Sequence, residues 1–411
     1  MYRKPIVRLN FYLLLAALLT ACGAGERSAS GIWSGTVDTL ENGAIHTRNP
    51  ATGIWDEASA WRLEEELRIG SADLEGPSLF GYISDITVDD YGRIYVMENQ
   101  AQEIRVFNPD GSHLRTIGRR GSGPGEFEGA VGLRWGPEGN LWVIDQNNAR
   151  YSVFDTTGTY LTMNRRASGY SSMPWHGTIG PDGHLIDIAS GPNAPDGFST
   201  MVLVSHHFED QSPVPVDTIW IPEVEGAYFE HLTEGGGTRV TIPFTPQVSW
   251  YLGPRGFFWH GVTDSYQIVQ ENLAGDTVRI IEREFSPTRV SREERRAAIE
   301  RLGWFIEEGG RIDASRIPST RPAFRNFFTD SDGYLWVSPS APVTEEGRKF
   351  DIFDPEGYFL GTATADFAAD NNLRVVDRDR FYSVVRDELD IPYVIRARIV
   401  GRSENERELR Q

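Results

Sequence analysis

Residues Ile86-Thr87-Val88-Asp89-Asp90-Tyr91-Gly92-Arg93-Ile94-Tyr95-Val96 and Leu133-Arg134-Trp135-Gly136-Pro137-Glu138-Gly139-Asn140-Leu141-Trp142-Val143 repeat one phrase. Each is an apolar strand, a tight acidic turn closing on glycine, and a second strand rich in aliphatic and aromatic side chains. Glycine there tolerates the positive φ of a hairpin turn, so the phrase specifies two antiparallel strands. It returns at 178–187 around Gly183, at 251–259 around Gly256 and at 328–337 around Gly333. A degenerate copy at 375–384 has Arg380 where the glycine stood.

A second hairpin follows several copies: 103–118, 150–161 and 349–360, each turning on an Asp or Asn and a glycine. One unit is therefore a four-stranded sheet. The index positions 92, 139, 183, 256, 333 and 380 lie 47, 44, 73, 77 and 47 residues apart. Three of these spacings match the roughly 40–50 residues of a propeller blade, and two carry about 30 extra. After the last strand, 393–400, no fourth strand remains, whereas 61–70 is an orphan strand ahead of the first copy. Pairing the two closes the ring and removes both sheet edges. The expected fold is all-β: a six-bladed β-propeller at 61–400 with four-stranded blades, its last blade closed by the N-terminal strand, and a charged tail at 401–411.

Gly121-Ser122-Gly123-Pro124-Gly125-Glu126-Phe127, the hairpin on Gly139, and 148–155 together resemble the NHL repeat. Residues 61–400 are similar to bacterial six-bladed propellers of that kind. The resemblance implies three activities known on such rings. Gluconolactonase-like and paraoxonase-like hydrolases use a calcium site of Glu, Asn and Asp oxygens. An amidating lyase with NHL-like blades holds zinc on histidines.

The first residues are an address. Arg3, Lys4 and Arg8 precede the apolar run 11–19, too short to span a bilayer. The run ends in Leu19-Thr20-Ala21-Cys22, which resembles a bacterial lipobox, and Cys22 is the only cysteine among 411 residues. Residues 1–21 thus read as a lipoprotein signal peptide, Cys22 as the lipidation site, and 22–60 as tether and N-terminal extension. Gly23-Ala24-Gly25 carries no aspartate after the cysteine, which by resemblance favours the outer membrane. Cleavage would leave 37 basic and 59 acidic groups, a net charge of −22 against −19 for the whole chain. That charge disfavours nucleic acid as a partner.

Two insertions break the repeat. The first, about 189–246, includes a glycine-rich stretch at 234–238. The second, 287–325, contains Ser291 and Glu294 in capping-box spacing, which predicts one helix over 292–308. Ile299, Leu302 and Phe305 fall on one face of it, expected to rest on the ring.

Functional loops on a propeller gather at the channel mouth, between blades and after each second strand. The candidates there are Glu98, Asn99, Asp145, Asn147, His176, His260, Arg325 and Asn326. Their oxygens would suit Ca²⁺, and His176, His231 and His260 are the candidates for the zinc that the lyase resemblance implies. The adjacent His206 and His207 are further histidines, but no H-x-H or H-x₃-H pair exists. Trp135, Trp142, Trp259 and Trp336 recur within the repeat and read as spacers between blades. Trp175, Trp220 and Trp304 stand outside it, as ligand platforms or as packing under an insertion. The balance favours a lipid-anchored binding platform for a protein, peptide or glycan at the envelope, with no cofactor and the lipid as its only membrane contact. The alternative is a calcium- or zinc-dependent lactonase-like hydrolase or lyase at the channel mouth.

Overall fold

The computed structural model describes residues 33–72, 76–167, 173–193, 199–224, 226–233, 236–253, 255–340 and 347–402. Six sheets succeed one another, each with four strands in meander order: 83–117, 130–165, 178–220, 248–283, 324–365, and 374–400 completed by Arg62–Ile69. Arg62–Ile69 runs antiparallel to Pro392–Val400, from Val394 opposite Ile69 to Val400 opposite Arg62. This is the expected closure. The closing strand also touches blade 5 in parallel, through Thr364 opposite Arg62 and Ala365 opposite Leu63.

Alternating strands leave each blade two apolar faces, and the ring buries them between neighbours. One apolar cluster fills each of the six blade interfaces. The richest joins blades 5 and 6 at the closure. There Trp61, 1% exposed, lies 5.0 Å from Trp55, 5.2 Å from Tyr334 and 5.7 Å from Trp336 between ring centroids. Arg402 stacks over Trp61 at 5.0 Å and pairs with Asp330 at 2.9 Å, so the first residues of the expected tail are built into the ring.

The index glycines do what the turn requires: Gly92 and Gly139 both have φ +74°. Blade 6 differs from the expected alignment. Asp377 pairs directly with Arg380 around a two-residue turn, and Arg378 takes the left-handed position at φ 54°. Arg380 is therefore a strand residue, not the replacement for a turn glycine. Trp142, Trp259 and Trp336 share the second-strand position, but Trp135 sits on the inner strand of blade 2 and lines the channel.

Residues ahead of Trp61 also belong to the folded body. Strands Thr36–Thr39 and Ile45–Asn49 extend the outer edge of blade 4, the second running parallel to Thr277–Arg283. Asn49, 2% exposed, is the joint. Its Oδ1 accepts from Trp33 Nε1 (3.0 Å) and the Phe359 amide (2.7 Å). Its Nδ2 donates to the carbonyls of Glu282 (3.0 Å) and Gly357 (2.9 Å). Blades 4 and 5 and the extension are thereby tied by one side chain. Cys22 and the signal residues lie outside the described residues, as does 403–411.

The first insertion partly lengthens blade 3, whose strands reach Ser199–Glu209 and Ser212–Trp220. The remainder includes a hairpin, Tyr228–Thr233 with Gly236–Thr241. In the second, the capping box forms: Ser291 Oγ accepts from the Glu294 amide at 3.2 Å, and the Ser291 amide donates to Glu294 Oε2 at 3.0 Å. The single expected helix is two, α1 (Arg292–Glu300) and α2 (Gly303–Glu307), because Leu302 leaves helical geometry at φ −92°, ψ 11° ahead of Gly303. Leu302 and Phe305 then turn into a common core with Phe229, Ile242 and Ile317, and Ile299 packs against it. The apolar face is as expected, but its partner is the first insertion rather than the ring. Arg316 donates to the carbonyls of Gly226 (2.8 Å) and Tyr228 (3.0 Å), which completes the union. The two insertions form a cap.

Candidate functional site

Inner strands from all six blades enclose a channel cavity of about 390 Å³. A cleft of about 510 Å³ lies between the cap hairpin and blades 3 and 4, and Trp250 borders both spaces.

Most of the nominated oxygens are engaged in holding loops. Glu98, 1% exposed, accepts from the amides of Gly81 (3.0 Å), Tyr82 (2.8 Å) and Ala101. Asp145, fully buried, accepts from the amides of Gly129 (2.9 Å) and Glu128 (3.2 Å) and from Asn148 Nδ2 (2.7 Å). The two acids occupy the same place in blades 1 and 2, where each clamps the incoming inter-blade loop to the tip of its own sheet. Asn99 donates to the Ala130 carbonyl at 2.8 Å, linking those blades. Asn147 is exposed, with one contact to the Glu128 carbonyl at 3.3 Å.

The histidines do not converge. His260 pairs with Glu271 at 3.3 Å and stacks on Phe258, away from the channel lining. His207 pairs with Glu209 at 3.1 Å, while His206 on the same strand is buried. Among the described residues, no group of three or more His, Cys, Asp or Glu side chains could hold a metal ion. His176 does line the channel, edge-on to Trp250 with centroids 5.5 Å apart. Its ring is solvent-accessible, yet the surrounding protein and the nearby Arg134 push its pKa down to about 4. Channel water weakens that push, and the direction alone leaves a neutral imidazole at pH 7.

Trp175 is 1% exposed and donates to Asp187 at 2.8 Å, which makes it packing. Trp220 and Trp304 are exposed on blade 3 and on the cap.

What surrounds the channel beyond the nominated set is charged. Arg134 pairs with Asp85 at 2.8 Å, and donates to the Gly177 (2.9 Å) and Trp175 carbonyls, stapling blades 1, 2 and 3. Burial pushes the Asp85 carboxyl up, against the pull of Arg134. Across the channel stands Arg374, on the inner strand of blade 6. It donates to Ser338 Oγ (3.1 Å) and to Asn326 Oδ1 (3.0 Å), with its guanidinium 4.7 Å from the Phe328 ring. Burial lowers its pKa to about 9, with Arg348 and Arg325 adding to the shift and Asp370 opposing it. Arg325 is the bulged residue of its strand, between the pairs made by Phe324 and Asn326. Burial, then Arg348 and Arg321, lower its pKa as well. The structure thus brings Asn326 together with Arg374, a residue the repeat reading passed over, while the nominated Arg325 lies outside the channel lining.

A family model, DUF5128, described as "6-bladed beta-propeller" matches residues 75–130. An exported protein of Bacteroides fragilis is similar in structure at 12% identity and TM-score 0.48, covering 86% of this chain and 99% of its own. A catalytically inactive virginiamycin B lyase of Staphylococcus aureus, solved with quinupristin, matches at 12% identity and TM-score 0.37, covering 89% and 99%. A protein assigned as a gluconolactonase matches at 11% identity and TM-score 0.39, covering 85% and 98%. Among curated proteins none matches the sequence. The family description agrees with the ring of six blades. No helix among the described residues is long and apolar enough to cross a membrane.

Proposed function

We propose that this chain is a lipoprotein of the cell envelope, tethered through Cys22 with the outer membrane favoured, whose NHL-type propeller serves as a binding platform. The channel and the adjoining cleft are its recess, and the cap is one wall. The observation that carries this reading is how the nominated donors are used. Glu98, Asp145 and Asn99 are engaged with backbone groups and His260 with Glu271. Two open recesses meet at Trp250. Recesses of this size suit a small ligand or the end of a chain.

The test is thermal unfolding of the full-length protein in detergent, after chelation and with Ca²⁺, Zn²⁺ or Mn²⁺ added singly. A specific metal at a hundredfold its Kd would add about 2.7 kcal/mol. No shift is expected; a shift of several degrees with one metal would replace the platform by a metal-dependent hydrolase or lyase. Cys22→Ala should move the protein from the membrane fraction to the soluble one, and retention at the membrane would refute the anchor.

A further inference from the structure

The channel holds positive charge that the fold leaves uncompensated. Asp85 neutralises Arg134, the other arginine of the lining. Arg374, on the channel wall, has no carboxylate within ion-pair distance among the described residues; its terminal nitrogens meet the neutral Ser338 Oγ (3.1 Å) and Asn326 Oδ1 (3.0 Å). The acid that acts on Arg374, Asp370, accepts from the amides of Asn372 (2.8 Å) and Leu373 (3.0 Å). The Nε–H groups of Arg374 and Arg325 are buried without an acceptor. This occurs in a chain whose net charge is −19. A charge held away from water is costly unless a counter-charge arrives. A guanidinium fork is built to receive a planar oxyanion.

The rest of the lining narrows the choice. Asn326, Asn371 and Asn372 present amides beside Arg374, and blade 4 contributes the aromatic wall of Trp250 and Tyr251. Amides pair with hydroxyls, an indole face takes the C–H face of a ring, and the guanidinium takes one carboxylate. We infer that this part of the channel binds a small carboxylate-bearing sugar of uronic-acid type, its carboxylate on Arg374 and its ring toward Trp250. The inference rests on the platform reading and gives it a ligand class.

Calorimetric titration of the full-length protein with D-glucuronate and D-galacturonate tests it, with D-glucose and inorganic phosphate as comparators. Saturable binding of a uronate is expected, weaker at high salt, with no binding of glucose. Arg374→Gln should weaken it at least tenfold. Because Arg374 also packs on Phe328, Asn372→Ala, at an exposed position of the lining, is the second variant, expected to weaken binding severalfold at an unchanged unfolding temperature. Absence of uronate binding to the folded wild-type protein overturns the inference, as does equal binding by both variants. Phosphate binding as tight as a uronate overturns the sugar assignment. None of these failures alters the metal titration or the Cys22→Ala fractionation, so the two readings can fall separately.

Discussion

The ring and its cap are held together in different ways. At the closure between blades 5 and 6, seventeen buried apolar side chains form one cluster, and clusters of six to eleven fill the other five interfaces of an unbroken circle. The cap has five such residues, on a hairpin and two helices of nine and five residues. Helices that short gain little from propensity and depend on packing. A circle of interfaces has no free end from which to unravel, whereas the cap can open while the ring stays folded. The region that walls the cleft is therefore the region able to move.

The largest expected effect breaks the ring. Trp61→Ala removes an indole packed among Trp55, Tyr334 and Trp336 just before the closing strand. Truncation of a buried aromatic costs about 3–5 kcal/mol. Calorimetry should show the main unfolding transition falling as a unit; a drop confined to a minor transition would mean the circle is not cooperative.

Phe305→Ala sharpens the contrast from the other side. Phe305 is fully buried in the cap, so the chemical loss is similar in kind, about 3 kcal/mol. It should appear as lost hydrogen-exchange protection in 228–241 and 292–317, with the ring's transition nearly unchanged. Equal loss of protection in the blades would show that cap and ring are one unit. Asn49→Ala belongs to the ring again: deleting an amide that makes four hydrogen bonds, two of them buried, should cost about 2 kcal/mol, read as a lower denaturant midpoint.

The same contrast explains what the sequence could convey. Blade number, closing strand and hairpin turns were legible because each is written locally, as a glycine at a turn or a strand with no partner nearby. The capping box of α1 was legible for the same reason. The mutual packing of the insertions was not, since Phe229 and Phe305 meet only in the fold. Glu98 and Asp145 read as channel-mouth ligands from their loops alone, although they recur at one repeat position. Recurrence within a repeat signals scaffold, as it does for Trp259 and Trp336. Arg374 carried no signal: it is one of 40 basic residues in the chain and lies in the least regular blade. Its significance comes from what surrounds it.

The smallest effect concerns a single charge in the cap. Glu294 closes the capping box of α1 and pairs with Arg321, which holds its carboxyl down at about 2 from a usual 4.5, the Ser291 amide adding to the effect. A carboxylate whose folded pKa is depressed stabilises fully above the unfolded value, and the gain disappears as pH falls through the folded one. The cap should therefore lose exchange protection between about pH 4.5 and pH 2. Glu294→Gln keeps the capping geometry without the charge. It should lower cap stability at neutral pH by about 1 kcal/mol or less and flatten the acid response in that window, because an ion pair open to solvent on one side contributes no more. If the variant's cap were as acid-sensitive as the wild type's, the proton would be acting elsewhere, and the cap would owe its cohesion to its apolar core alone.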